Sequence, residues 1–344
     1  MIPYVIIYII IFLLSFKIRK NKFTIFDVLA LLTLIFFSAT RYGIGTDYKL
    51  YSTIYQRATD IQTLGTSRTG IGFSYLLLFF KNCLSLDYQY LIAFCSIVTI
   101  SAFYYFIKKN SENPGRALLI YLAIGLYASS FNGFRQNMSI SLALVGLTLL
   151  KENKKVFSII FLMISVLFHN SSIALIILYY IIVIKKIEIK PKYILIISII
   201  LFLSYSILFP KIIGILNSYS DYIQTDFSSV PGLGTYLMVM VYYVIYFILL
   251  SPKQKYFNET ERKYISLFSI TICIMSLQLH NWLFNRISDI FIVFMPIILS
   301  KYYDLISNKN KKTFSFIFHV CCFIYYLVYI YSFGEVNPYQ NILW

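Results

Sequence analysis

The chain has 344 residues, 59% of them hydrophobic and 13% charged, and a net charge of +16. A water-soluble domain carries roughly 25% charged residues, so half that value, with apolar runs along the whole length, excludes a soluble enzyme and makes lipid the main solvent. Three histidines and five cysteines (Cys83, Cys95, Cys273, Cys321, Cys322) show no metal-ligand or paired-loop spacing. This argues against a bound metal, and the cysteines read as small hydrophobes.

A membrane-spanning helix needs about 20 mostly apolar residues. Apolar runs fall at 2–16, 25–40, 88–107, 116–131, 138–150, 156–168, 172–184, 193–209, 235–250, 264–283, 290–300 and 313–332. Several are short, so tilt, local bilayer thinning and Tyr or Lys side chains reaching the interface must make up the difference. The first run does not read as a cleavable signal peptide, because its basic residues follow it. The stretch 71–86 is apolar but short and contains Lys81.

Basic residues sort the connections into two sets. One holds Lys17, Arg19, Lys20 and Lys22; Lys108, Lys109 and Arg116; Lys151, Lys154 and Lys155; Lys185, Lys186, Lys190 and Lys192; Lys253, Lys255, Arg262 and Lys263; and Lys301, Lys309, Lys311 and Lys312, which is 22 of the 30. The other holds the remaining 8: Arg41, Lys49, Arg57, Arg68, Lys81, Arg135, Lys211 and Arg286. The positive-inside rule makes the first set cytoplasmic. Both termini are then outside, and the expected fold is a single all-α polytopic membrane bundle over residues 1–344 with about twelve spans. Loops at 41–87 and 210–234 are extracytoplasmic. The alternation requires 71–86 to be an interfacial or re-entrant helix; the alternative is a true short span with another run miscounted. The basic excess is thus an orientation signal, aided by anionic inner-leaflet lipid, and does not point to nucleic acid.

Four outward features carry candidate chemistry. Arg41-Tyr42-Gly43-Ile44-Gly45-Thr46-Asp47-Tyr48 follows the second run, and Tyr48, Tyr51 and Tyr55 continue at helical spacing beside Asp47. An aromatic stripe with a carboxylate suits a sugar ring; the alternative is an interfacial tyrosine belt. Asn132-Gly133-Phe134-Arg135-Gln136-Asn137 is a minimal turn from which Arg135 must face a cavity, pair or snorkel. A guanidinium in a cavity suits two-pronged phosphate recognition. Phe168-His169-Asn170-Ser171-Ser172 is another minimal turn, with a histidine able to act as a base near neutral pH. Trp282 and Arg286 share a helix face four residues apart, although Arg286 could simply pair with Asp289.

In order, these motifs resemble the EpsG family of Wzy-like polysaccharide polymerases: Arg41-x-x-x-Gly45-Thr46-Asp47-Tyr48-x-x-Tyr51, Arg135-Gln136 opening a span, His169-Asn170-Ser171-Ser172, Arg286 before a span containing Pro296, and the terminal Asn337-Pro338-Tyr339. The resemblance implies a GT-C-like bundle in the bacterial inner membrane. It implies an inverting glycosyltransferase that joins undecaprenyl-diphosphate-linked repeat units at the outer face into O-antigen (lipopolysaccharide) or capsular polysaccharide. Its partners are the lipid-linked donor and acceptor, membrane lipid and, in such systems, a chain-length regulator protein; no cofactor is implied. One departure is that Arg68-Thr69-Gly70-Ile71-Gly72-Phe73 lacks an acid that the resemblance leads one to expect there. Asp47 or His169 must then serve as the catalytic base.

The chemistry fits these residues. Negative charge develops on the leaving diphosphate, and Arg41, Arg135 and Arg286 can stabilise it without a metal in a water-poor site. Tyr48, Tyr51, Gln136 and Trp282 complete the expected substrate contacts. A flippase for the same glycan would place charges deep inside spans, whereas here they concentrate at span ends. A ligase would use similar arginines and differ mainly in acceptor. A histidine-centred membrane acyltransferase would need no set of outward arginines.

Overall fold

The computed structural model describes residues 1–64, 70–215, 232–281, 283–306 and 311–342. Arg68, Trp282 and most of the expected 210–234 loop lie outside the described residues. Among the described residues there is no β-strand, only isolated bridges. The helices are α1 (Ile2–Ser15), α2 (Ile25–Ala39), α3 (Thr46–Arg57), α4 (Ile61–Leu64), α5 (Ile71–Leu78), α6 (Tyr88–Asn110), α7 (Pro114–Ala123), α8 (Leu126–Asn132), α9 (Phe134–Lys151), α10 (Lys155–Phe168), α11 (Ser171–Tyr179), α12 (Pro191–Ile215), α13 (Leu233–Val244), α14 (Glu259–Gln278), α15 (Phe284–Ile292), α16 (Met295–Ile306) and α17 (Lys311–Val328). Each apolar run named above is mostly helical over its described residues. Among the described residues, three helical stretches, Tyr88–Asn110, Leu233–Tyr256 and Lys312–Ser332, are long and apolar enough to cross a bilayer, and six further apolar helices are shorter. Large apolar side chains such as Leu13, Leu203, Met240 and Phe316 point away from the protein. Helices apolar on all sides are buried or face lipid, and the chain is a membrane protein.

The chain divides into two compact units, Met1–Ile176 with Leu299–Trp344, and Ile177–Ile298. In the first, α9 is central and buried almost throughout. Small residues allow its close packing: Ser139 and Ser141 are fully buried, and a methyl group on Gly146 would lie 2.8 Å from the Leu162 side chain.

The ends of this first unit differ in chemistry. At one end the buried Asp27 carboxylate accepts from Tyr104 and Lys108 and caps the start of α2 through the Thr24 amide at 2.8 Å. Around it lie Lys20–Glu112 (2.8 Å), Lys109–Glu152 (3.0 Å), Lys154–Glu152 (2.8 Å) and Arg116–Asp304 (2.6 Å). At the other end the C-terminal segment runs antiparallel to residues 40–42, with Tyr42 N donating to Gln340 O and Ile342 N to Thr40 O, both at 3.0 Å. Tyr339 stacks on Phe37 with ring centres 3.8 Å apart, and the Tyr4 hydroxyl donates to Val336 O at 2.6 Å.

The segment 71–86 is held by contacts at both of its ends. Its start presses on the C-terminus of α10: a methyl group on Gly72 would lie 2.8 Å from Leu167 O. Its finish accepts the Tyr55 hydroxyl at Leu86 O (2.5 Å), and the adjoining Gln89 side chain donates to Ala39 O (2.6 Å) and Arg41 O (3.0 Å). Lys81, out of place in an apolar run, donates to Gln56 O (2.7 Å) and Ala58 O (2.6 Å) and so caps the C-terminus of α3.

In the second unit α14 is the most enclosed helix, with Ile265, Leu267, Phe268 and Ile272 fully buried. It opens with a reciprocal cap, Asn258 N to Glu261 Oε2 at 2.8 Å and Glu261 N to Asn258 Oδ1 at 2.9 Å.

Candidate functional site

The site grows from a corner between α2 and α3. Gly45 takes φ +96°, and a methyl group there would sit 2.3 Å from Phe131 O, so only glycine fits. The amide of Thr46 donates to Asn132 Oδ1 at 3.3 Å, which ties the start of α3 to the turn before α9. Asp47 falls in the first turn of α3, half-buried, where the helix dipole favours the carboxylate.

Tyr51 follows Asp47 on the same helix face. Its ring carries the Arg135 guanidinium at 4.8 Å, and Phe73 of α5 lies at 5.5 Å from the same group. Tyr51 packs edge-on against Phe134 (4.9 Å) and Phe73 (5.4 Å), so three helices hold the rings that position Arg135. Cation–π contacts of this kind are worth about 0.5–2 kcal/mol, more when dry. One turn beyond Arg135, the Ser139 hydroxyl lies 2.7 Å from Ser165 O and 3.0 Å from His169 O, which fixes the His169 turn against α9. Asp47, Arg135 and His169 are thereby gathered at one end of α9, although they lie far apart in sequence.

The hydrogen bonds of His169 define its tautomer. Its Nδ1 accepts the Ser171 amide at 3.2 Å and lies 2.8 Å from Ser171 Oγ. A backbone amide can only donate, so in the neutral ring Nδ1 holds the lone pair and Nε2 the proton. The imidazole is therefore arranged to donate through Nε2, with its basic nitrogen turned back onto its own chain.

Other expected contacts are arranged differently. Tyr48, Tyr51 and Tyr55 are all buried, in a cluster with Phe73, Tyr88, Leu91 and Phe134, rather than presented outward as a sugar platform. The Tyr48 hydroxyl donates to Gln89 Oε1 at 3.1 Å, and burial pushes the Tyr48 and Tyr55 phenols above their ordinary pKa. Gln136 is buried beside Arg135.

Arg41 is only 2% exposed. Its Nη1 donates to Ser38 O (2.6 Å), Ser38 Oγ (2.9 Å) and Ser96 Oγ (3.0 Å), and its guanidinium lies 4.7 Å from the Phe131 ring centre. The guanidinium thus points into the bundle, and Arg41 holds the corner from beneath. Arg286 belongs to the second unit, half-buried in the first turns of α15. There Gln278 Nε2 donates to Asn285 Oδ1 at 3.3 Å, and His280 stacks on Tyr205 at 4.5 Å.

Two positioning residues escaped the sequence reading. Asn132 accepts from Thr46 N and donates to Gly334 O at 2.7 Å, joining the α3 corner to the C-terminal segment. Gln89 joins α6 to the end of α2 and to Tyr48. The signal for Asn132 was its place three residues before Arg135; Gln89 carried none.

A sequence model of the EpsG family matches residues 24–341. No curated protein and no solved structure matches the chain. With nearly the whole length covered, the chain belongs to the EpsG family, a family of Wzy-like polysaccharide polymerases.

Proposed function

We propose that the protein joins repeat units carried on undecaprenyl diphosphate into a surface polysaccharide, at the extracytoplasmic face of the inner membrane, by an inverting and metal-independent glycosyl transfer. The observation that supports this reading is the Arg135 guanidinium held over Tyr51 and Phe73, at the end of α9 where the α3 turn bearing Asp47 and the His169 turn also pack. Arg135 contacts the diphosphate as negative charge develops on the leaving group; a preorganised donor in a water-poor site is worth about 2.7–4 kcal/mol. Asp47 takes the proton from the acceptor sugar hydroxyl as that oxygen attacks the anomeric carbon from the face opposite the diphosphate. His169 donates a hydrogen bond through Nε2, and Arg41 keeps the Gly45 corner in register. Arg286, in the second unit, is a proposed substrate-binding residue on sequence grounds alone.

The orientation rests on the unequal split of basic residues and is supported by the two chemically distinct ends of the first unit. Deleting the gene tests the function. Single repeat units should accumulate on the lipid acceptor and long chains should vanish. A glycan ladder of normal length would refute polymerisation. Loss of single-unit product as well would point to a flippase or an earlier step.

A further inference from the structure

The end of the first unit opposite the site carries a groove that the reaction does not use. It has a volume of about 450 Å³, in the usual range for a small-molecule site. Phe12 of α1, Phe16 just after that helix, Tyr303 of α16 and Lys312, Phe316 and His319 of α17 line it. The rings form a continuous wall, with centres 4.9 Å apart for Phe12–Phe16, 5.3 Å for Phe12–His319 and 6.1 Å for Tyr303–His319. His319 is held by a 2.7 Å bond from Nδ1 to Ser315 O. Beneath the wall, Arg116 lies 3.8 Å from the Tyr303 ring centre, its charge already matched by Asp304.

Three features define the occupant. The wall is apolar and aromatic. The stretch Lys312–Ser332 has only 11% of its apolar window covered by protein, so the groove opens sideways to lipid. Lys312 lines the groove and Lys17 directly follows the lining residue Phe16 in the chain; both are exposed, and neither is ion-paired among the described residues. An apolar slot open to the bilayer, with unmatched ammonium groups at the height where the helices end, is complementary to a two-part ligand: an acyl chain and an anionic phosphodiester. We infer that this groove is a binding site for an anionic phospholipid, held by its acyl chain against Phe12, Phe16 and Phe316 and by its phosphate on Lys312 and Lys17.

The test uses the purified full-length protein in detergent. Retention of phosphatidylglycerol and of phosphatidylcholine with identical acyl chains is measured by native mass spectrometry. Phosphatidylglycerol should be retained preferentially. Removing lysine charge near an anionic headgroup weakens retention about fivefold per residue, so Lys312→Glu and Lys17→Glu should each lower it at least that much. Lys155→Glu, an exposed charge on another helix, should leave it unchanged. Ser315→Trp, which fills the slot, should remove both lipids. Equal retention of the two lipids by the natural protein would overturn the inference. So would unchanged retention in Lys312→Glu, or an equal fall in Lys155→Glu, which would mean diffuse surface charge rather than a site.

Discussion

Replacing Arg135 by lysine separates a catalytic guanidinium from a structural one by magnitude. Lysine keeps the positive charge and a weaker contact with the Tyr51 ring, now 4.8 Å from the guanidinium, but loses the planar pair of donors. If Arg135 serves only to pin the aromatic cluster, the cation–π share of the loss is about 0.5–2 kcal/mol. That is a factor of about 30 at most, and it would appear as reduced protein in the membrane. If the guanidinium stabilises the leaving diphosphate, the loss is about 2.7–4 kcal/mol, or roughly a hundred- to thousand-fold in rate. The assay is the rate of unit joining by purified protein on lipid-linked repeat units, normalised to folded protein. Arg135→Lys should fall at least about a hundredfold with normal accumulation. Activity within about threefold of the natural protein would refute the reasoning and make Arg135 an anchor. Arg286→Lys asks the same question of the second unit.

Asp47→Asn should be close to inactive while His169→Ala keeps a measurable fraction of activity, because Nδ1 of His169 already accepts the Ser171 amide; the opposite ranking in the same assay would assign the base to His169. Gly125→Ala should lower the thermal unfolding midpoint and membrane accumulation, since Gly125 sits at φ +83° and a methyl group would lie 2.4 Å from the Tyr329 ring. A left-handed alanine costs about 1–2 kcal/mol and overpacking about 1–3, so an unchanged midpoint would contradict the packing described. Asp60→Cys should label with an impermeant thiol reagent from outside and Asn110→Cys should not; reversed labelling would invert the orientation and the site with it.

Much of the helical fold was legible because apolar runs and charge spacing are local properties. Each of the runs is mostly helical over its described residues. The breaks inside them were less visible: α7 and α8 divide at Gly125, and α15 and α16 divide before Met295. The direction of the tyrosine stripe was not legible either. Helical spacing puts Tyr48, Tyr51 and Tyr55 on one face, but what covers that face comes from Phe73, Tyr88 and Phe134. Lys81 looked anomalous because its acceptors, Gln56 O and Ala58 O, are backbone groups with no sequence signature. Arg41 was named from its motif, yet its burial depends on Ser96 and Phe131, and its corner is closed by Asn341 and Gln340 some 300 residues away. Contacts of that range leave no periodic trace in a single sequence.

Reconstitution tests polymerisation by this protein most directly. Purified protein in liposomes is given undecaprenyl-diphosphate-linked repeat units in the presence of a chelator, and products are resolved by length and by lipid released. The account predicts a ladder of lengthening chains, with one undecaprenyl diphosphate freed per unit joined and a rate unaffected by the chelator. Repeat units that stay single, or that only change leaflet, would contradict it.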